Sequence, residues 1–217
     1  MVENKGYKAM SIIALIVGVI GVTLGYAAFS STLTITSTAE VTPDSSKFNV
    51  DFSSSDQSVQ TSSITPTLSP NNVTGFTATN ATIDNTSDPE ITNLHATFTE
   101  PGQSATYTFY AYNAGEYIAY LNSIIFDGST NTKSCTARTG TTQGLVDDAC
   151  PDITLTVTVG SESATTTSVA NIDNHSLAIG SADTVTVVIA YASGAAIADG
   201  AFDVTFPDIV LTYASAD

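Results

Sequence analysis

With 217 residues, 42% hydrophobic but only 12% charged, the chain is long enough for one domain with a full core or two small ones, and Ser and Thr do most of the solubilising. Five basic against 21 acidic residues give a formal net charge of -16, which repels phosphate backbones and makes nucleic acid a poor partner. Two cysteines 15 residues apart, Cys135 and Cys150, with only His95 and His175 to help, exclude a zinc site.

The chain opens on a polar head, MVENKGYK, carrying Lys5 and Lys8, and continues with twenty uncharged residues from Ala9 to Ala28. As a helix these twenty would extend about 30 Å, the thickness of a bilayer core. The basic flank holds the head in the cytoplasm and sends the rest across. Gly25-Tyr26-Ala27 is a small-x-small ending, so residues 1–27 read first as a signal peptide cut between Ala27 and Ala28, and second as a retained anchor. Either way the membrane is a partner through residues 9–28 before processing. A third reading takes Lys5-Gly6 as resembling the processing point of a type IV pilin leader, but Ser11 stands where that family carries Glu.

From residue 28 the chain reads as one exported domain, 28–217. Phe29, Ser31, Leu33, Ile35, Ser37, Ala39 and Val41 alternate with Ser30, Thr32, Thr34, Thr36, Thr38 and Glu40, the period-two pattern of a half-buried strand. FNVDF (48–52) predicts a short strand, and the Ser/Thr/Pro-rich residues 53–72 predict an irregular crossing. Strands rich in β-branched and aromatic residues are expected at 74–83, 91–99, 104–113 and 116–126. Glu100-Pro101-Gly102-Gln103 and Asn113-Ala114-Gly115 read as turns between them. In the third of these strands, alternation sets Tyr107 and Phe109 on one face and Tyr110 and Tyr112 on the other.

Residues 127–150 have no strand pattern and read as a variable loop. An even cysteine count in an exported chain favours a Cys135–Cys150 disulfide closing it. Further strands are expected at 153–159, 168–172, 184–191 and 202–213, the last requiring an edge position or a bulge at Pro207. No helical period is visible beyond residue 28. The fold class expected is all-β: an antiparallel β-sandwich of about eight to ten strands, jelly-roll or Ig-like, preceded by an N-terminal hydrophobic helix.

Gly25-Tyr26-Ala27-Ala28-Phe29 resembles the signal-peptide junction of the TasA/camelysin family of bacterial extracellular-matrix proteins. The stretch from Pro101 through Tyr107 to Gly115 looks like the Pro-Gly turn, strand and Asn-x-Gly turn of the same proteins. The resemblance implies a jelly-roll-like sandwich that polymerises by donating its first strand, residues 28–41, to the next subunit. Phe29, Leu33, Ile35, Ala39 and Val41 would then be the plug, with main-chain hydrogen bonds supplying affinity and alternate side chains fixing register. Head-to-tail donation does not close on itself and generates a fibre.

Catalytic chemistry is not signalled. The family's description as metalloproteases finds no HExxH here and no histidine pair at ligand spacing. Asp127-Gly128-Ser129-Thr130-Asn131 begins like a calcium loop, yet Thr132 and Arg138 occupy the sixth and twelfth positions; Asp147, Asp148 and Asp152 are further acids near the disulfide. Calcium is therefore the one ion left open, and no cofactor is expected. Asn72, Asn80, Asn85 and Asn174 each fit N-x-S/T, and a bacterial source would make most of them meaningless. The expected function is a non-enzymatic structural subunit of a cell-surface or extracellular-matrix fibre, partnered with itself and with no small-molecule substrate. The alternative is a membrane-anchored adhesion module using the 127–150 loop or the outward tyrosines.

Overall fold

The computed structural model describes residues 47–54, 61–85, 89–127, 133–165 and 170–215. The hydrophobic segment, the expected cut site Ala27–Ala28 and the expected donor residues Phe29, Leu33, Ile35, Ala39 and Val41 lie outside these ranges. Among the described residues no helix is long and apolar enough to cross a membrane.

In chain order the strands are β1 (Val50–Ser53), β2 (Ser63–Ile64), β3 (Thr67–Ser69), β4 (Thr77–Ala78), β5 (Ala81–Asp84), β6 (Glu90–Thr92), β7 (His95–Phe98) and β8 (Ser104–Asn113). They continue as β9 (Ala119–Asp127), β10 (Ser134–Ala137), β11 (Ile153–Val159), β12 (Glu162–Thr165), β13 (Ala170–Leu177), β14 (Ala182–Tyr191), β15 (Phe202–Thr205) and β16 (Asp208–Ser215). Among the described residues one α-helix, α1 (Gln143–Ala149), precedes a 3-10 turn at Cys150–Asp152. The protein is thus mostly β, in antiparallel sheets consistent with a β-sandwich. One sheet runs β1-β8-β14-β11-β12 with β3 also beside β8; a four-stranded sheet runs β10-β15-β7-β4; a third runs β13-β9-β16-β6-β5-β2.

Alternation explains the long strands. In β8 Ala105, Tyr107, Phe109 and Ala111 are buried while Thr108 is exposed, and in β11 Ile153, Leu155, Val157 and Val159 are buried while Thr154 is exposed. Val185, Val187, Ile189 and Tyr191 of β14 face the same core. Tyr107 and Phe109 are therefore core residues, and burial raises the Tyr107 hydroxyl to about 12. Phe98, Tyr191 and Phe202 meet at centroid distances of 5.8, 5.6 and 6.2 Å, and each buried aromatic removes enough apolar surface to contribute roughly 2–3 kcal/mol.

Several expected elements divide. The 74–83 pattern becomes β4 and β5, and 91–99 becomes β6 and β7 with Asn93 at φ 60 between them. Residues 202–213 become β15 and β16, so Pro207 is neither edge nor bulge: it stands where the chain leaves the four-stranded sheet for the third sheet. These splits, with β2 and β3 inside the expected crossing, β10 inside the expected loop and β12 after a tight turn, give sixteen strands among the described residues rather than eight to ten. Residues 127–150 are not a loop throughout, since β10 and α1 lie within them. His175 sits inside β13, at a register shift between Asn171 and His175.

Candidate functional site

The disulfide-bound corner is built around β10. Cys135 and Cys150 are joined, with Cα atoms 6.0 Å apart. Gln143 opens α1 and ties it to β10: its Oε1 accepts from the Ala137 N–H at 2.8 Å and its Nε2 donates to the Cys135 carbonyl at 3.1 Å and to Asp147 at 2.8 Å. Val146 and Ala149 turn inward to the core. The N-terminus of α1 is held from outside, because the Asp199 carboxylate accepts from the Thr142 N–H at 2.8 Å and from its hydroxyl at 2.7 Å. Those two bonds hold the Asp199 carboxyl below its ordinary range. Lys133 donates to the Pro151 and Ile153 carbonyls, and burial lowers its affinity for a proton against the opposing pull of Asp152. Residues 133–150 are accordingly fastened to the sheets.

The histidines occupy two polar clusters. His175 of β13 bridges to another sheet: its Nε2 lies 2.7 Å from Asp183 of β14, and its Nδ1 lies 3.8 Å from Glu162 of β12. Gly160, at φ +57, packs against the ring. Each ring nitrogen thus has a carboxylate within 4 Å. The Tyr213 hydroxyl is buried without a hydrogen-bond partner among the described residues, and burial, assisted by Asp183, raises its proton affinity. His95 lies 3.7 Å from Asp203, whose carboxylate also accepts from Thr97 at 2.7 Å and faces Arg138 at 3.8 Å.

Among the described residues no group of three or more His, Cys, Asp or Glu is placed to hold a metal. Residues 128–132 of the stretch that begins like a calcium loop lie outside them. Asp147 is bonded to Gln143, and Asp152 accepts from the Ala196 N–H at 3.2 Å.

The sheet edges are the remaining candidates. β8 pairs with β14 along one side, whereas on the other β1 covers Tyr110–Asn113 and β3 covers Ser104–Thr106. No described strand pairs with Tyr107, Thr108 and Phe109 on that side. β16 pairs with β9 from Asp208 to Ser215, but β6 meets it only at Ile209 and Val210, with one more bond from the Leu211 N–H to Pro89. From Thr212 to Ser215 no described strand lies on that flank.

The first described residues are anchored at the same end of the third sheet. The Gly115 N–H donates to Asn49 at 3.0 Å, the Glu116 N–H donates to Lys47 at 2.7 Å, and Ala119, three residues on, pairs with Ser215. A methyl group at Gly115 would lie 2.7 Å from both Asn49 N and Lys47 O, so glycine is needed for this approach. Asn113, fully buried, donates to the Tyr117 and Leu177 carbonyls and accepts from the Gly115 N–H. The Asn-x-Gly turn was visible in sequence; the use of Asp199 to hold α1, 57 residues from Thr142, had no local signal.

The cysteine pair is the one predicted set of site residues that the described ranges bring together. Comparison with protein-family models, curated proteins and solved structures finds no match for the chain.

Proposed function

We propose that the protein is an exported structural subunit, a β-sandwich of the jelly-roll or Ig-like kind, that assembles head to tail into a cell-surface or matrix fibre by donating residues 28–41. One observation carries this reading: β16 is a core strand, with Leu211 and Tyr213 buried, yet its Thr212–Ser215 flank has no described neighbour. A strand with one apolar face fits such an edge, and Phe29, Leu33, Ile35, Ala39 and Val41 form that face. The described body begins at Lys47 beside the same end of the sheet, leaving residues 42–46 as the connection.

Deletion of residues 28–41 tests the proposal. The shortened protein is expected to stay unpolymerised by light scattering and electron microscopy. A synthetic peptide of residues 28–41 added in trans should bind it and yield capped, folded monomers. Fibres from the shortened protein, or a folded shortened protein that ignores the peptide, would sink the donor-strand reading.

A further inference from the structure

The four N-x-S/T triplets are not equivalent once placed in the fold. Asn72 is exposed in the turn between β3 and β4, at φ 62, the left-handed conformation that asparagine tolerates better than most residues; Thr74 is exposed with it. Asn80 is exposed in the two-residue connection Thr79–Asn80 between β4 and β5, and Thr82, two residues on, is exposed as well. The Asn80 main chain is pinned, because its carbonyl accepts from Asn93 Nδ2 at 3.0 Å, while the amides of Asn72 and Asn80 bond to no described residue.

Asn85 differs. Its Oδ1 accepts from the Phe52 N–H at 2.7 Å and its Nδ2 donates to the Phe52 carbonyl at 3.1 Å, so the amide acts as one more rung beside β1. Phe52 itself is fully buried. A sugar on Asn85 Nδ2 would have to stand where β1 lies. Asn174 belongs to β13.

We propose that Asn72 and Asn80 are N-glycan acceptors and that Asn85 is a structural asparagine which carries no sugar. The donor class is an oligosaccharide on a polyprenyl phosphate carrier. The amide Nδ2 forms a bond to the sugar C1, the bond from C1 to the phosphate oxygen breaks, the lipid phosphate leaves with the bonding pair, and the amide gives up one proton. No oxidant or reductant is involved.

Position gives the two sugars a task. Asn72 and Asn80 bracket β4, a two-residue strand that ends the four-stranded sheet and, among the described strands, pairs only with β7 there. An open sheet edge is a template for unwanted strand pairing, and natural proteins cover it. Thr77 and Thr79 on this edge are exposed and uncharged, so bulky hydrated sugars at both ends would guard it without using charge. Attachment requires export and an exposed amide, and nothing of fibre formation, so its failure and that of strand donation are separable.

The test is peptide mass spectrometry on the full protein recovered from its producing cells. Peptides containing Asn72 and Asn80 are expected to carry a hexose-based mass excess, and the peptide containing Asn85 to have its plain sequence mass. Thr74→Ala and Thr82→Ala, which break each triplet while keeping its asparagine, should each remove one of the two additions. A bare asparagine at either position in the native protein, or a sugar on Asn85, overturns the proposal.

Discussion

At Gly160 two separate costs meet in one residue. Its φ of +57 is unfavourable for any residue with a Cβ, by about 1–2 kcal/mol, and an added methyl would lie 2.9 Å from His175 Cε1. Gly140, at φ +93, has nothing within 4 Å of the same methyl. Gly160→Ala is therefore expected to lower the melting temperature more than Gly140→Ala, because only the first also displaces the imidazole from Asp183. Equal losses in calorimetry would mean that His175 moves at no cost. Asn85→Ala should cost about 1–3 kcal/mol in urea unfolding, since it leaves the main-chain N–H and carbonyl of buried Phe52 without these partners. Asp199 carries a pH dependence of definite sign. Its folded-state carboxyl is held below its ordinary value, so its contribution is complete above about pH 4 and is lost as the pH falls through the lower folded value. Asp199→Asn should remove that part of the acid sensitivity; an unchanged acid-unfolding profile would show that the Thr142 contact does not persist in solution.

Among the elements, α1 is the one whose existence depends most on distant residues. Seven residues are too few for a stable isolated helix, so Gln143, the disulfide and Asp199 must hold it. Closing a 15-residue separation corresponds to about 3 kcal/mol in the chain-entropy account. The double variant Cys135→Ser/Cys150→Ser should lose about that much in urea unfolding at unchanged slope. No loss would mean that the hydrogen bonds alone suffice to hold the corner. The same dependence on distant partners explains what could be read in advance. β8 and β11 were legible to the residue because apolar and hydroxyl side chains alternate from Ser104 to Asn113 and from Ile153 to Val159. β15 and β16 were merged because period two says which face is buried and not which sheet the strand joins; Pro207 marked the break, but its meaning depended on where the partners β7 and β9 lay. α1 buries only Val146 and Ala149, too short a stripe to register as a helical period. The cysteine pair was legible from count and spacing, whereas the His175 cluster needed β12, β13 and β14 assembled before its carboxylates could be named.

For the molecule as a whole, charge sets the terms on which copies meet. Removing residues 1–27 takes away Glu3, Lys5 and Lys8, leaving 20 acidic and 3 basic groups, a net -17. Bodies of that charge repel over about 30 Å at 0.01 M salt but over only about 8 Å at 0.15 M. Strand donation, if it occurs as proposed, would draw its affinity from main-chain hydrogen bonds and from the apolar side chains Phe29, Leu33 and Ile35, neither of which salt screens away. The outward positions of β8, β11 and β14 point the same way, since Ser104, Thr106, Thr108, Thr154, Thr156, Thr158, Thr184 and Thr186 carry hydroxyls and no charge. Assembly followed by light scattering should therefore accelerate as sodium chloride rises from 0.01 to 0.5 M and should not reverse above that. Slower assembly at higher salt would instead require opposite charges across the contact. Lys47, Lys133 and Arg138 are the basic residues of 28–217, so that result would place the junction at one of those three side chains.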